Sequence, residues 1–488
     1  MIQAKGSFLK GGTIMNTKTS SDSFGSFVKE FVVLGMPIAL QNLITLVLNL
    51  ADNVMVGSLG EAVISAVTVS TTFLWLSMTA IMSMASGSSI LCAQAWGRKD
   101  KATIKKTTAF TLCVNMAIAI IFFVLMSAFS SQIITLYSNI DGILAPAMTY
   151  FSIMKWSLPM MAVSTTLANC LQSVRNVKFG FFNTVGSTLI NVLFNYLLIF
   201  GHFGFPQLGV AGAAIATLIS RFVEVTIIFI YVFFVEKNLG FRLSDFDPKL
   251  GWIQIRSVLK VTFPILLMEI SNNLVVSAQT MITGHVSNYY ISANSIVHNA
   301  WTIPNAFCFG LGAAASIMIG NTIGEGDRRK CDLMARRFVP VTLVLGVLAS
   351  FGLRILLPII RSFYDIQPET EDLVFKMGNI AAITVMFISL RYVTCNGIIR
   401  ASGKTFQILI GDVLSSWVIA VPVGYLCAFV FHLPAQYLYF ILRLGNVTMA
   451  LWGVWMVLSG RWLKKGKREK ENEQQSESAA LSELAAQE

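Results

Sequence analysis

The feature that most limits how this chain can fold is the recurrence of long apolar runs. Twelve of them lie at 31–57, 62–92, 107–128, 147–170, 181–201, 211–234, 258–284, 291–320, 338–360, 373–398, 405–430 and 435–459. Each is long enough to cross a bilayer as a helix, which needs about 20 residues, whereas barrel strands need about half that. The 488 residues are 55% hydrophobic and only 12% charged, against about 25% charged in a soluble domain. The pattern predicts an all-α integral membrane protein with twelve transmembrane helices, numbered here span one to span twelve.

Basic residues give the spans a direction. Arg98, Lys99, Lys101, Lys105 and Lys106 follow span two, and Arg328, Arg329, Lys330, Arg336 and Arg337 follow span eight. Arg175 and Lys178, Lys237 to Lys260, and Arg400 and Lys404 follow spans four, six and ten. Connections after odd spans hold only Arg361 at their edges. The alternation places the even connections and both termini in the cytoplasm of a multi-pass plasma membrane protein, expected in the bacterial inner membrane. No short apolar core with a small-residue cleavage site precedes Phe31, so no cleaved leader is expected. The net charge of +11 follows from these loops, and no nucleic-acid partner is expected.

An internal repeat organises the chain. At an offset of 227 residues Pro37 matches Pro264, Ala51 matches Ala278 and Gly57 matches Gly284. Ile64-Ser65-Ala66 matches Ile291-Ser292-Ala293, Gly97 matches Gly324, and Asp100 matches Asp327. Six spans per half put both halves in the same orientation, as a parallel repeat about an axis along the membrane normal. The expected division is a cytoplasmic segment 1–30, an N-lobe 31–234, an inter-lobe loop 235–257, a C-lobe 258–460 and a charged cytoplasmic tail 461–488. Two such lobes enclose a central cavity, and rocking them exposes it to each side in turn. This is the outline of a secondary transporter.

Polar residues inside the spans are the candidates for chemistry, because charges at the bilayer centre are costly. In span one, Gln41, Thr45, Asn49 and Asp52 are spaced four, four and three, so they share one helical face. In span five, Thr184, Thr188, Asn191 and Asn195 form a second stripe. Its amide oxygens suit a sodium ion, and equally suit hydrogen bonds between helices. Thr217, Ser220, Arg221 and Glu224 line span six, where Arg221 and Glu224 are expected to pair at i, i+3. In span seven Glu269 stands beside Asn272 and Asn273, as a possible proton carrier. Lys155 and Arg391 are intramembrane cations, each expected to meet a carboxylate. Asp412 lies eight residues past Lys404 and is read as interfacial. His298 of span eight is read as a packed residue rather than a proton relay.

Other chemistries lack their motifs. There is no GxxxxGK[ST], HExxH or GxSxG, and the seven cysteines form no CxxC pair, so neither ATP drive, a metal cluster nor a cofactor is expected.

With these residues in view, the chain resembles the multidrug and toxic compound extrusion family, MATE, over roughly 31–460. The resemblance is carried by LGMPIALQNLITLVLNLADNVMVGSLG, AQAWGRKD, STLINVLFNYLLIFG with LGVAGAAIATLIS, GLGAAASIMIGNTIGEGD and GIIRASGKT. It implies two pseudo-symmetric six-helix lobes that export organic cations and drugs in exchange for Na+ or H+. It also implies an N-lobe cation site at Asp52, Asn191, Asn195 and Thr217, a possible Na+ site. The family often has a second acid where this chain has Asn195. Other members use a span-seven glutamate, here Glu269, with a span-ten aspartate. This chain has Ser389 and Arg391 there, which counts against a complete C-lobe sodium site. The proline matching Pro37 is associated with bending of the first helix. Membrane lipid is the expected surround, and a monomer the expected state. Two rival readings are a flippase for lipid-linked oligosaccharides and a membrane-embedded transferase using His298. The first expects several cations in the cavity, and the second is at odds with the repeat, in which His298 is matched only by Thr71.

Overall fold

The computed structural model describes residues 23–137, 142–242, 245, 252–286, 288–364 and 366–463. The N-terminal residues 1–22, the tail from 464 and most of 243–251 lie outside the described residues, and with them most of the two expected terminal segments and part of the inter-lobe loop. Among the described residues every regular element is helical. Eleven helices there are long and apolar enough to cross a membrane. The twelfth expected span, span four, is present in two pieces, Leu144–Met154 and Ser157–Ser173. The break falls at Lys155 and Trp156. The Lys155 ammonium lies 5.4 Å from the centre of the Phe123 ring, and Trp156 meets the same ring edge-on at 4.8 Å. Lys155 thus sits over an aromatic face, and the carboxylate expected for it is not among its described contacts.

Spans one (Phe24–Gly57) and seven (Trp252–Gly284) are continuous helices that carry Pro37 and Pro264 without interruption. Spans two (Glu61–Gly97) and eight (Asn288–Glu325) end at the basic loops. Spans three (Lys101–Ala128) and nine (Arg328–Arg361) begin just after them. Asp100 and Asp327 cap those two helices in the same way. Asp100 accepts from the Thr103 backbone N–H at 3.0 Å, and Asp327 from that of Lys330 at 2.9 Å. Each cap satisfies one of the orphan donors of a helix start. The repeated aspartates of the basic loops are therefore structural.

The repeated glycines do a different job. A Cβ built on Gly97 would lie 1.9 Å from the carbonyl oxygen of Asn321, and one on Gly324 would lie 2.0 Å from that of Gln94. Positions 94 and 321, like 97 and 324, differ by the repeat offset. Spans two and eight thus cross backbone against backbone, each supplying the same residue positions to the other. A second symmetric pair lies further along. Gly35 faces Ala314, and Gly87 faces Thr262, again related by the repeat offset. This reciprocity is the structural form of the parallel repeat seen in the sequence.

These contacts lie in the halves of the helices nearest the basic loops. Phe338 of span nine packs edge-on against Phe27 and Phe31 of span one, at 4.8 and 4.9 Å between ring centres. Gln94 donates to the Ala401 carbonyl at 2.7 Å, and Arg400 donates to Ser86 Oγ at 2.6 Å. The two halves of the molecule are packed together at the basic-loop end.

Candidate functional site

The polar stripes of spans one and five (Val177–Phe200) face each other. Gln41 Nε2 donates to Thr184 Oγ1 at 2.9 Å, and Asn195 Nδ2 donates to Asp52 Oδ1. From 41 to 52 and from 184 to 195 is the same step of eleven residues, about three helical turns. The two helices therefore run parallel with their polar faces in register. Of the remaining stripe residues, Thr45 and Thr188 bond back to carbonyls of their own helices.

From Asp52 the bonding continues sideways. Asn195 Nδ2 also reaches Asn191 Oδ1 at 3.2 Å, and Asn191 Nδ2 donates to Thr217 Oγ1 at 3.2 Å. Thr217 lies in span six (Val210–Ile230) and donates to the Ala213 carbonyl at 3.1 Å. The structure thus brings all four N-lobe residues into one chain, Asp52–Asn195–Asn191–Thr217. Asn195 is fully buried, and its Oδ1 has no hydrogen-bond partner. No cation pairs with Asp52 among the described residues. The Arg221–Glu224 pair expected in span six forms at 2.7 Å. Buried Tyr150 of span four lies within electrostatic reach of Asp52. Its spacing in span four gave no sign of this, because the meeting with Asp52 depends on how two helices pack.

The C-lobe candidates come together differently. Asn273 is exposed, and its amide donates to the backbone carbonyl of Glu269 at 2.9 Å rather than to the carboxylate. Glu269 instead lies in the field of Arg400, Arg391 and Asp412. Ser389 donates to the Met386 carbonyl at 2.8 Å and to the Thr342 carbonyl at 3.4 Å.

Asp412 corrects its sequence reading. It is 1% exposed, not interfacial, and pairs with Arg391 of span ten. Arg391 also donates to Asn446 Oδ1 of span twelve. The separation of Asp412 from Lys404 was a poor guide to its depth, because burial is set by the helices packed around it, among them span seven and, through Arg391, span ten. Arg391 was the better signal, since a guanidinium inside an apolar run requires an acceptor. The other Asp412 oxygen, Oδ2, is buried without a hydrogen-bond partner. Past the pair, span ten winds as a π-helix over Tyr392–Ile399 and span eleven over Leu414–Ala420. Such widened turns are frequent at functional sites.

His298 is exposed and stacks on Trp301, with ring centres 5.6 Å apart. It is therefore not the packed residue expected. The described residues hold no group of three or more potential metal-binding His, Cys, Asp and Glu side chains.

Comparison with known proteins places this architecture. The chain is 23% identical over 443 residues to a probable multidrug resistance protein NorM of Thermotoga maritima, covering 90% of this chain and 93% of that one. It is 23% identical over 418 residues to a probable multidrug resistance protein YoeA of Bacillus subtilis, covering 84% and 89%. Among solved structures, an outward-facing multidrug resistance MATE transporter of the MOP superfamily superposes with a TM-score of 0.80 at 16% identity, covering 90% of this chain and 97% of that one. The eukaryotic MATE transporter AtDTX14 gives 0.74 at 20% identity, covering 90% and 97%. These likenesses establish the fold. The MatE family model matches twice, at residues 37–197 and 264–426. The two matches start at positions separated by the repeat offset, and together take up well over half of the sequence. The chain belongs to the multidrug and toxic compound extrusion family, MATE.

Proposed function

We propose that the protein exports organic cations and drugs in exchange for an inward-moving cation, by alternating access of two lobes. The observation that carries this reading is the hydrogen-bonded chain Asp52–Asn195–Asn191–Thr217. It holds one carboxylate inside a membrane-spanning bundle with neutral partners only. Such a carboxylate gains from a mobile positive charge. The coupling cation is Na+ or H+. The carboxylate, the unpartnered Asn195 Oδ1 and the Thr217 hydroxyl are hard oxygen donors of the kind a sodium ion takes. The names of the NorM and YoeA relatives support drugs as the cargo.

The packing of the lobes at the basic-loop end supports an outward-open state, with the basic loops on the cytoplasmic side. Asp52 lies in the outer half of span one, where an ion arriving from outside would find it. Lobe boundaries at 31–234 and 258–460 follow from the same reading, in a bacterial inner membrane.

The test is drug accumulation in efflux-deficient cells. Wild type should lower ethidium accumulation, and Asp52→Asn should return it to the level of cells lacking the protein. Sodium withdrawal and collapse of the pH gradient, applied separately, identify the coupling ion. Wild-type cells that accumulate a broad panel of dyes like empty cells would sink the export reading.

A further inference from the structure

The Asp412–Arg391–Asn446 cluster uses the donor chemistry of the N-lobe site in a different way. A carboxylate oxygen and an amide oxygen, from spans eleven and twelve, converge on one positive charge. Both acceptors are hard oxygens, as at Asp52 and Asn195. In the C-lobe the charge they hold is a guanidinium that is part of the chain.

Three observations give this weight. The pair is buried, with side chains 18% and 1% exposed for Arg391 and Asp412. The second Asp412 oxygen is buried and unpartnered, so the carboxylate keeps unused acceptor capacity. Spans ten and eleven both pass into π-helical winding within a few residues of the pair. The charges also balance. Glu269 and Asp412 are the acids, and Arg391 and Arg400 are the bases acting on Glu269. The N-lobe carboxylate has no such partner among the described residues. A guanidinium stays charged throughout the accessible pH range, so it can neither leave nor be neutralised during a transport cycle.

We propose that Arg391 is a tethered cation that permanently fills an oxygen-lined cation site in the C-lobe. The C-lobe therefore takes up no coupling ion, and Arg391 determines that coupling runs through Asp52 alone. The inference deepens the cation-coupled reading above and rests on it for the role of Asp52. Its test does not depend on transport.

The experiment is equilibrium binding of radioactive sodium to the purified full-length protein in lipid nanodiscs, for wild type and for variants made in an Asp52→Asn background. Asp52→Asn alone should bind no sodium. Adding Arg391→Met should create a site that takes up one sodium per protein. Adding Asp412→Asn to that variant should remove the site again, while Arg391→Lys should not create it. A folded Asp52→Asn, Arg391→Met protein that binds no sodium would overturn the proposal. So would sodium binding to Asp52→Asn alone that disappears with Asp412→Asn, a measurement that stands even where Arg391→Met does not fold. If wild type binds no sodium but the Arg391→Met variant does, the tethered-cation proposal holds and the N-lobe couples to protons instead.

Discussion

The two halves are alike where they cross and unlike where they carry charge. At the crossing, Gly97 meets the Asn321 carbonyl and Gly324 meets the Gln94 carbonyl, with nearly the same clearance. In the sites, the N-lobe sets a lone carboxylate among amides and a hydroxyl. The C-lobe sets an aspartate against an arginine, with Glu269 and Arg400 close by. The fold needs the crossing to be symmetric, because each lobe is the other's packing partner. It places no such demand on the polar interior. Each lobe can hold its charge differently.

The largest expected effect breaks this comparison at its centre. Asp52→Asn should abolish export while leaving the protein folded, because the substituted amide still offers an oxygen to the Asn195 side chain. Asp412→Asn should do the reverse to stability. It leaves Arg391 buried without its counter-charge, and removing one partner of a buried pair typically costs about 3–5 kcal/mol. Thermal unfolding in detergent by tryptophan fluorescence should show a clear drop in Tm for Asp412→Asn and little change for Asp52→Asn. Equal shifts in the two variants would remove the distinction drawn between the lobes.

The symmetric crossing gives the next test. Gly97→Val and Gly324→Val should have similar costs, because each forces a side chain into the opposite backbone. Overpacking of this kind costs about 1–3 kcal/mol, and here the carbonyls cannot move aside as a side chain can. Both variants should loosen the closure at the basic-loop end. Cysteine-labelling rates in a Ser86→Cys background should rise by similar factors in each. A strong response in one glycine variant alone would mean that the crossing is not the reciprocal contact described.

How much of this the sequence already carried depends on whether the signal is periodic or spatial. The spans, their direction and the repeat are periodic, and the fold follows them. The facing stripes of spans one and five were legible for the same reason, since a shared helical face is a one-dimensional pattern. That Asp52, Asn195, Asn191 and Thr217 meet in order was suggested by resemblance and required the structure to assemble. The C-lobe cluster was not legible. Arg391, Asp412 and Asn446 lie on three helices, and their meeting depends on packing angles that no spacing rule encodes. Asp412 was misplaced because depth was judged along its own helix. Its burial comes from a neighbour.

The smallest expected effect concerns the repeated aspartates, and it sharpens the symmetric side of the comparison. Asp100 and Asp327 each cap the helix that follows a basic loop, so Asp100→Ala and Asp327→Ala should each cost about 1 kcal/mol, the usual worth of a lost N-cap. The Thr103 hydroxyl and backbone N–H hold the Asp100 carboxyl below the ordinary carboxylate range. Its folded pKa therefore lies below its unfolded one. The stabilisation it supplies is full at neutral pH and is lost as pH falls through the acid range. The Tm difference between wild type and Asp100→Ala should be largest near neutrality and should close on acidification. A difference that widens at low pH would mean that the protonated carboxyl is the stabilising form, and that Asp100 is not acting as a charged cap.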